Sequence, residues 1–180
     1  KTLVNINTSS YNQQGIETCL NIIKEKFDKF NCSITDITEP NSNKIIATTF
    51  TKKKPSLPNI LFNIHVDTVF DETSPFQQFK IINNKMATGP GVIDAKGGIV
   101  IIYNTINQIE NSSLKDKINW TVVLTTDEEI GSMNSKDYLI QEAKNHDIAL
   151  IFEPPLENGN IIKNRPASAN ISITATGKTA

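Results

Sequence analysis

Apolar residues near the start of the chain recur every three or four positions, the spacing that places side chains on one face of a helix. The residues on this face are Ile16, Cys19, Leu20, Ile23, Phe27 and Phe30. The polar segment 12–15 leads into this predicted helix. Two further helices are predicted, from about Lys96 to Glu110 and from about Ser135 to His146.

Strands are predicted where apolar residues alternate with polar ones or form short continuous runs. The first two predicted strands, residues 33–38 and 44–50, flank a turn-rich segment and therefore form a hairpin. Three later strands have the continuous apolar character of strands that are buried on both faces, and they cover residues 59–64, 118–125 and 148–152. Because these strands alternate with helices, we expect an α/β fold, with a mixed, mostly parallel sheet sandwiched by helices.

The last part of the chain has a different pattern. Residues 169–176 alternate like a half-exposed strand, which suggests the first strand of a second domain. We therefore predict one domain over residues 1–166 and the start of the second over residues 167–180. Since the chain begins with Lys1 and stops directly after the predicted strand, we expect it to be a fragment of a longer protein.

Composition and charge exclude several classes of partner. The net charge of −1 provides no basic excess for nucleic acid. The longest apolar run, residues 98–103, is too short to span a bilayer. Cys19 and Cys32 are either free core thiols or a pair, and two cysteines are too few for a disulfide framework. We therefore expect neither nucleic acid nor a membrane as a partner, and the compartment stays open.

Candidate chemistry lies where the three buried strands end. The first strand runs into His65-Val66-Asp67, the second into Asp127-Glu128-Glu129 and the third into Glu153. A further acid, Asp94, lies in a glycine-rich loop before the second helix. In open α/β sheets, ligands bind beyond the carboxyl ends of the strands. These side chains are therefore expected to converge at one edge of the sheet.

Several carboxylates at one edge repel one another unless cations neutralise them, so metal binding is the expected resolution. An imidazole with carboxylates suits zinc, and also manganese or cobalt, whereas calcium prefers oxygen ligands alone. His65 and Asp67 point the same way on a strand, which allows Asp67 to hold the imidazole in one tautomer. Glu128 and Glu129 are adjacent and point differently, so one can bind metal while the other acts as a base.

Each of these residues also has a structural alternative. A strand-end histidine is often simply hydrogen-bonded, and acids at residues 127–129 are favourable near a helix N-terminus. Asp94 is a candidate N-cap of the second helix. Gly89-Pro90-Gly91 raises the possibility of a phosphate loop. However, the third position of a dinucleotide fingerprint is then Asp94, whose carboxylate repels pyrophosphate.

Four motifs resemble, in order and spacing, those of the M20 family of dinuclear zinc peptidases, and in particular its glutamate-carboxypeptidase group. The motifs are His65-Val66-Asp67-Thr68-Val69, the glycine-rich segment 89–98, the acidic segment 126–132 and Phe152-Glu153-Pro154. The opening residues 3–12 and the following Gly15 are similar to that group as well.

The resemblance implies a metal centre with two Zn²⁺ ions, for which Co²⁺ or Mn²⁺ are substitutes. His65 and Glu153 would hold one ion, Glu129 would hold the other, and Asp94 would bridge both. The family also often has a cis peptide after the bridging aspartate, which is here the Asp94–Ala95 bond. The resemblance further implies that the chain is the N-terminal portion of a longer protein, with residues 1–166 in its catalytic domain and residues 167–180 at the start of an α+β lid or dimerisation domain.

The resemblance also implies an activity. Glu128 would be the general base that acts on a metal-bridging water, and Asp67 would brace His65. The reaction would hydrolyse an amide or peptide bond in a small peptide or N-acyl amino acid, releasing a C-terminal or N-acylated amino acid, and the full-length protein would be a homodimer. The family's second metal also takes a later histidine, whereas His146 has no motif around it and is expected on the surface. A non-catalytic or truncated metal-binding module of the same fold is the alternative.

Overall fold

The computed structural model describes residues 1–156, 158–164 and 171–177. Three α-helices are present in these ranges: α1 (Gln13–Phe27), α2 (Lys96–Glu110) and α3 (Lys136–Lys144). The strands are β1 (Ser33–Thr38), β2 (Ile45–Lys52), β3 (Asn59–His65), β4 (Lys80–Asn83), β5 (Met86–Thr88), β6 (Asn119–Thr125) and β7 (Ile148–Ile151).

Five strands form one mixed sheet in the order β1-β2-β6-β3-β7. Strand β3 pairs in parallel with both β6 and β7, while β2 is antiparallel to β1 and to β6. Four of the five strands therefore run in the same direction, as predicted. The register places His65 opposite Thr125 and Asn63 opposite Ile151, so β3, β6 and β7 end at the same edge.

Helices cover both faces of this sheet. The larger core lies between the sheet and the helices α1 and α2, and it includes the aromatic rings of Phe27, Phe50 and Trp120. Phe27 and Phe50 have ring centroids 4.4 Å apart. On the opposite face, Tyr138 and Leu139 of α3 pack against a smaller cluster. The predicted α/β sandwich is therefore confirmed.

Helix α1 begins where its sequence provides a cap. The side chain of Asn12 accepts a hydrogen bond from the Gly15 backbone N–H at 2.9 Å, which satisfies one of the free donors of the first turn. The apolar face predicted for this helix is buried along its length, from Ile16 to Phe27. This burial places α1 in the same core cluster as α2, on one face of the sheet.

Two strand predictions need correction. Strand β7 was expected to be buried, but all four of its residues are exposed, with Ile148 at 54%. The reason is that β7 is the last strand in the sheet order and pairs only with β3 among the described residues. In addition, β4 and β5 form a separate two-stranded antiparallel sheet in a segment for which no strand was predicted.

The structure describes only part of the predicted second domain. The boundary at residue 166 and the start of its strand lie outside the described residues. Residues 171–177 are exposed and have no strand assignment, so the expected strand is not formed over them. The division into two domains stays a prediction.

Two further features concern the helices and the cysteines. Within the described ranges, no helix combines the length and the apolar character that crossing a membrane requires. Cys19 and Cys32 are free thiols rather than a pair. Cys19 lies on the buried face of α1, which is the core position expected for it.

Candidate metal centre

Three side chains with metal-binding atoms converge at the carboxyl edge of the sheet. His65 is the last residue of β3, Asp94 lies just before α2, and Glu129 belongs to a single 3-10 turn after β6. Their potential ligand atoms all lie within 4.8 Å of one another. The closest pair is His65 Nε2 and Asp94 Oδ1, at 2.9 Å.

Two more of the sequence-predicted acids surround the same imidazole. Glu153, which follows β7, has its Oε1 atom 3.7 Å from His65 Nε2. Glu128 has its Oε2 atom 4.0 Å from the same nitrogen. The parallel pairing of β3 with β6 and β7 explains this convergence, because the three strand ends carry their acids to one place.

The loop that carries Asp94 is held by close backbone packing. Gly91 has a φ of +71°, which favours glycine, and its carbonyl oxygen accepts a hydrogen bond from the Gly97 backbone N–H at 3.2 Å. The Asp94–Ala95 peptide bond is cis, as expected. The N-cap position of α2 is Ala95, so Asp94 is not the N-cap and its carboxylate faces the site.

Asp67 connects the imidazole to the loop that carries the glutamates. Its buried carboxylate accepts the backbone N–H groups of Glu128 at 3.2 Å and of Glu129 at 3.1 Å. Its Oδ1 atom lies 3.3 Å from His65 Nδ1. The nearest partner of that nitrogen, however, is the main-chain oxygen of Asp67, at 3.0 Å. A neutral imidazole with its proton on Nδ1 would present a free Nε2 atom to the acids.

The electrostatics of the metal-free site favour a cation. Burial by itself lowers the pKa of His65, but hydrogen bonds and charges from Asp67 and Glu153 outweigh it and raise the pKa to about 11. The metal-free imidazole is therefore protonated and supplies positive charge among the acids. This arrangement of one nitrogen and several carboxylate oxygens fits a divalent transition metal that replaces the proton.

The pKa values of the two glutamates of the acidic motif, Glu128 and Glu129, are also shifted. Burial, and then the negative charges of neighbouring carboxylates, raise the pKa of Glu128 and of Glu129, although the positive charge of His65 opposes this. The upward shift therefore comes first from burial, to which the neighbouring carboxylates add. Shifts of this kind are more common at functional sites than on a solvated surface.

Asp127 has a different role from the two acids that follow it. Its buried carboxylate accepts the backbone N–H groups of Asn134 at 2.8 Å and Ser135 at 3.1 Å, at the start of α3. The structural alternative of a carboxylate near a helix N-terminus therefore applies to Asp127. It does not apply to Glu128 and Glu129, whose side chains lie near His65.

One prediction about histidine is wrong, and one residue was missed. The imidazole of His146 is buried rather than on the surface, because its Nδ1 atom lies 2.6 Å from the Glu142 carbonyl oxygen. It is not part of the group around His65. The missed residue is Ser10, whose hydroxyl contacts Asp67. A single serine has no spacing pattern that sequence reasoning detects.

Comparisons with known proteins agree with this fold. A sequence model of peptidase family M20/M25/M40 matches residues 61–177. Carboxypeptidase G2 from Pseudomonas sp. (strain RS-16) is 28% identical over 183 residues, which cover 98% of this chain and 43% of that protein. The chain therefore spans less than half the length of this relative.

Two solved structures have a similar fold. Human carnosine dipeptidase 1 matches with a TM-score of 0.70 and 13% identity, over 86% of this chain and 37% of that one. An M20 family metallo-carboxypeptidase from Sulfolobus solfataricus matches with a TM-score of 0.69 and 19% identity, over 88% of this chain and 37% of that one. The family match covers more than half of the chain, including every strand end that carries a candidate ligand. The chain belongs to peptidase family M20/M25/M40.

Proposed function

We propose that the protein is a metal-dependent hydrolase that cleaves an amide or peptide bond and releases a C-terminal or N-acylated amino acid. The observation that carries this proposal is the convergence of His65, Asp94 and Glu129, whose potential ligand atoms lie within 4.8 Å of one another. Membership of a peptidase family supports the same reaction class.

The residues present suit two metal ions. His65 and Glu153 would hold one ion, Glu129 would hold the other, and Asp94 would contact both. Zn²⁺ suits this mixture of nitrogen and carboxylate ligands, with Co²⁺ or Mn²⁺ as substitutes. When bound, the metals would polarise the scissile carbonyl group and make water nucleophilic at neutral pH.

Glu128 is the residue proposed to move the proton. Its side chain is 48% exposed, so its carboxylate is open to both water and substrate. Burial and nearby carboxylates raise the pKa of Glu128 above its ordinary value, which is the direction expected of a carboxylate that acts as a general base. The carboxylate would accept a proton from the attacking water and pass it to the nitrogen of the leaving amino acid.

Asp67 supports this chemistry without touching the substrate. Its main-chain oxygen fixes Nδ1 of His65, and its carboxylate holds the backbone of Glu128 and Glu129. The histidine ligand, the glutamate ligand and the base therefore share one buried support. Such support keeps metal ligands in a fixed orientation.

The proposed substrates are small peptides or N-acyl amino acids in which the leaving amino acid keeps its carboxylate. The relative Carboxypeptidase G2 and the metallo-carboxypeptidase from Sulfolobus solfataricus are both carboxypeptidases by name, which favours this class. A homodimer of the full-length protein is proposed from the family resemblance.

The test compares Glu128→Gln with Glu25→Gln, a matched change at an exposed position on α1. Both variants are loaded with Zn²⁺ and assayed against a panel of dipeptides and N-acyl amino acids. Glu128→Gln is expected to lower kcat about 10²- to 10⁴-fold while metal content stays the same, because this residue is a base and not a ligand. Glu25→Gln is expected to match the parent.

Equal turnover by Glu128→Gln and the parent would remove Glu128 from the mechanism. Stoichiometric metal binding with no hydrolysis of any substrate in the panel would instead favour the non-catalytic metal-binding module.

A further inference from the structure

The segment before α1 is fixed against the end of β3. The hydroxyl of Thr8 donates to the Val66 carbonyl oxygen at 2.8 Å, and the Thr68 backbone N–H donates to the Thr8 carbonyl oxygen at 2.8 Å. Ser9 and Thr68 also form a parallel bridge. The N-terminal segment therefore lies directly beside the residues that support the metal centre.

Ser10 uses this position to contact Asp67. Its hydroxyl donates a hydrogen bond to Asp67 Oδ2 at 2.6 Å, and its own exposure is only 4%. Short hydrogen bonds to an ionised carboxylate are about twice as strong as those between neutral groups. The same oxygen accepts the Glu129 backbone N–H, so Ser10 and Glu129 share one acceptor atom.

Ser10 completes the set of partners around this carboxylate. An ionised carboxylate has about four lone-pair sites. At Asp67 three of these accept hydrogen bonds, from the Ser10 hydroxyl and from the backbone N–H groups of Glu128 and Glu129. The Oδ1 atom also lies 3.3 Å from His65 Nδ1, whose nearest partner is the Asp67 main-chain oxygen. Together the three donors hold the carboxylate in one orientation. Loss of the hydroxyl leaves a buried carboxylate oxygen with one donor fewer and weakens this hold.

We propose that Ser10 is a positioning residue of the metal centre, acting on His65 and Glu129 through Asp67. This inference rests on the proposed function, because it assigns Ser10 to the support of the same metal ligands. The N-terminal segment is thereby a part of the site, although it contains none of the metal ligands.

The experiment measures Co²⁺ affinity and the visible absorption of bound Co²⁺ in the intact protein. Ser10→Ala removes the donor, and Ser10→Thr restores a hydroxyl. Ser9→Ala is the matched control, because it removes a neighbouring buried hydroxyl that makes no hydrogen bond to Asp67. If Ser10→Ala does not fold, Ser10→Cys is used instead, because a thiol is similar in size to a hydroxyl but is a weak hydrogen-bond donor. The Co²⁺ affinity and absorption expected of Ser10→Ala then apply to Ser10→Cys.

Removal of a group that supports a metal ligand typically lowers affinity 10- to 100-fold, and Ser10 acts through one further residue. Ser10→Ala is therefore expected to weaken Co²⁺ binding about tenfold and to change the absorption bands. Ser10→Thr and Ser9→Ala are expected to stay within about twofold of the parent.

The inference is overturned if Ser10→Ala binds Co²⁺ as tightly as Ser9→Ala and with the same spectrum. If the parent binds no Co²⁺, this inference and the metal centre both fail. If Ser10→Ala loses affinity but the parent hydrolyses no substrate, the positioning role stands and the proposed function alone fails.

Discussion

Replacement of Asp67 by asparagine tests whether one carboxylate supports both the histidine and the glutamates. The two side chains have nearly the same shape, but asparagine has no charge and places an NH₂ group where one oxygen was. At Oδ2 this group would face the donors Ser10 and Glu129, and at Oδ1 it would face the Glu128 backbone N–H. In either orientation donors oppose donors.

The magnitude follows from the hydrogen bonds that are lost. Hydrogen bonds to charged groups contribute roughly 1.5–3 kcal/mol each, so the loss of one to two at a fully buried site is expected to lower the free energy of unfolding by about 3 kcal/mol. Metal affinity is expected to fall about 10- to 100-fold, or about 1.4–2.8 kcal/mol. The loss arises because His65 and the Glu128–Glu129 backbone lose their common support.

Asp127→Asn is the matched control for this substitution. Asp127 is also buried and also accepts two backbone N–H groups, but both bond to Oδ2, and its Oδ1 atom has no hydrogen-bond partner among the described residues. An asparagine therefore keeps both hydrogen bonds with its nitrogen in the Oδ1 position. Stability is expected to change by less than about 1 kcal/mol, and Co²⁺ affinity by less than about threefold.

The assays are urea unfolding of the metal-free variants and isothermal titration with Co²⁺. The reasoning is refuted if Asp67→Asn binds Co²⁺ as tightly as the parent, or if both aspartate variants lose the same affinity. The second result would show that a buried negative charge at this edge matters, whereas its position beside His65 does not.

Two further predictions concern pH and packing. The pKa of metal-free His65 is raised to about 11, so its proton must leave before metal binds. Zn²⁺ affinity is therefore expected to rise about tenfold per pH unit between pH 6 and 8. Calorimetric titrations in buffers of different ionisation enthalpy check this, because they should show the release of about one proton per bound ion. In Gly98→Ala, the new Cβ atom would lie 2.6 Å from the Phe152 carbonyl oxygen, so α2 and the segment that carries Glu153 must separate. Urea unfolding is expected to show that Gly98→Ala lowers the free energy of unfolding by about 1–3 kcal/mol. The control Val100→Ala, at an exposed position of the same helix, is expected to lower it by less than about 0.5 kcal/mol. Equal losses in the two variants would contradict the packing argument.

Much of the fold is predictable because most helices and strands are buried on at least one face, and burial requires a regular pattern of apolar residues. The apolar runs that end at His65 and Thr125 mark β3 and β6, which are buried between helices. The same type of run at Ile148–Ile151 gave the correct strand but the wrong burial, because apolar character does not reveal what lies beside a strand. The β4–β5 hairpin was missed because its strands are short and exposed.

The site was predictable in its side chains but not in its connections. Strand direction and residue type were enough to bring His65, Asp94, Glu129 and Glu153 to one edge. The partners of Asp67 were not predictable, because two of them are backbone N–H groups and the third is a hydroxyl about sixty residues away in the sequence. Hydrogen bonds of this kind depend on tertiary structure and have no local signature.

The most direct test of the metal centre is anomalous diffraction at the zinc absorption edge from crystals of the Zn²⁺-loaded protein. We expect anomalous peaks at the carboxyl edge of the sheet, with one ion about 2.0–2.1 Å from His65 Nε2 and carboxylate oxygens of Asp94 and Glu153 about 2.0–2.2 Å from it. A crystal of the loaded protein with no anomalous peak beside His65, or with its zinc held elsewhere, would contradict the account.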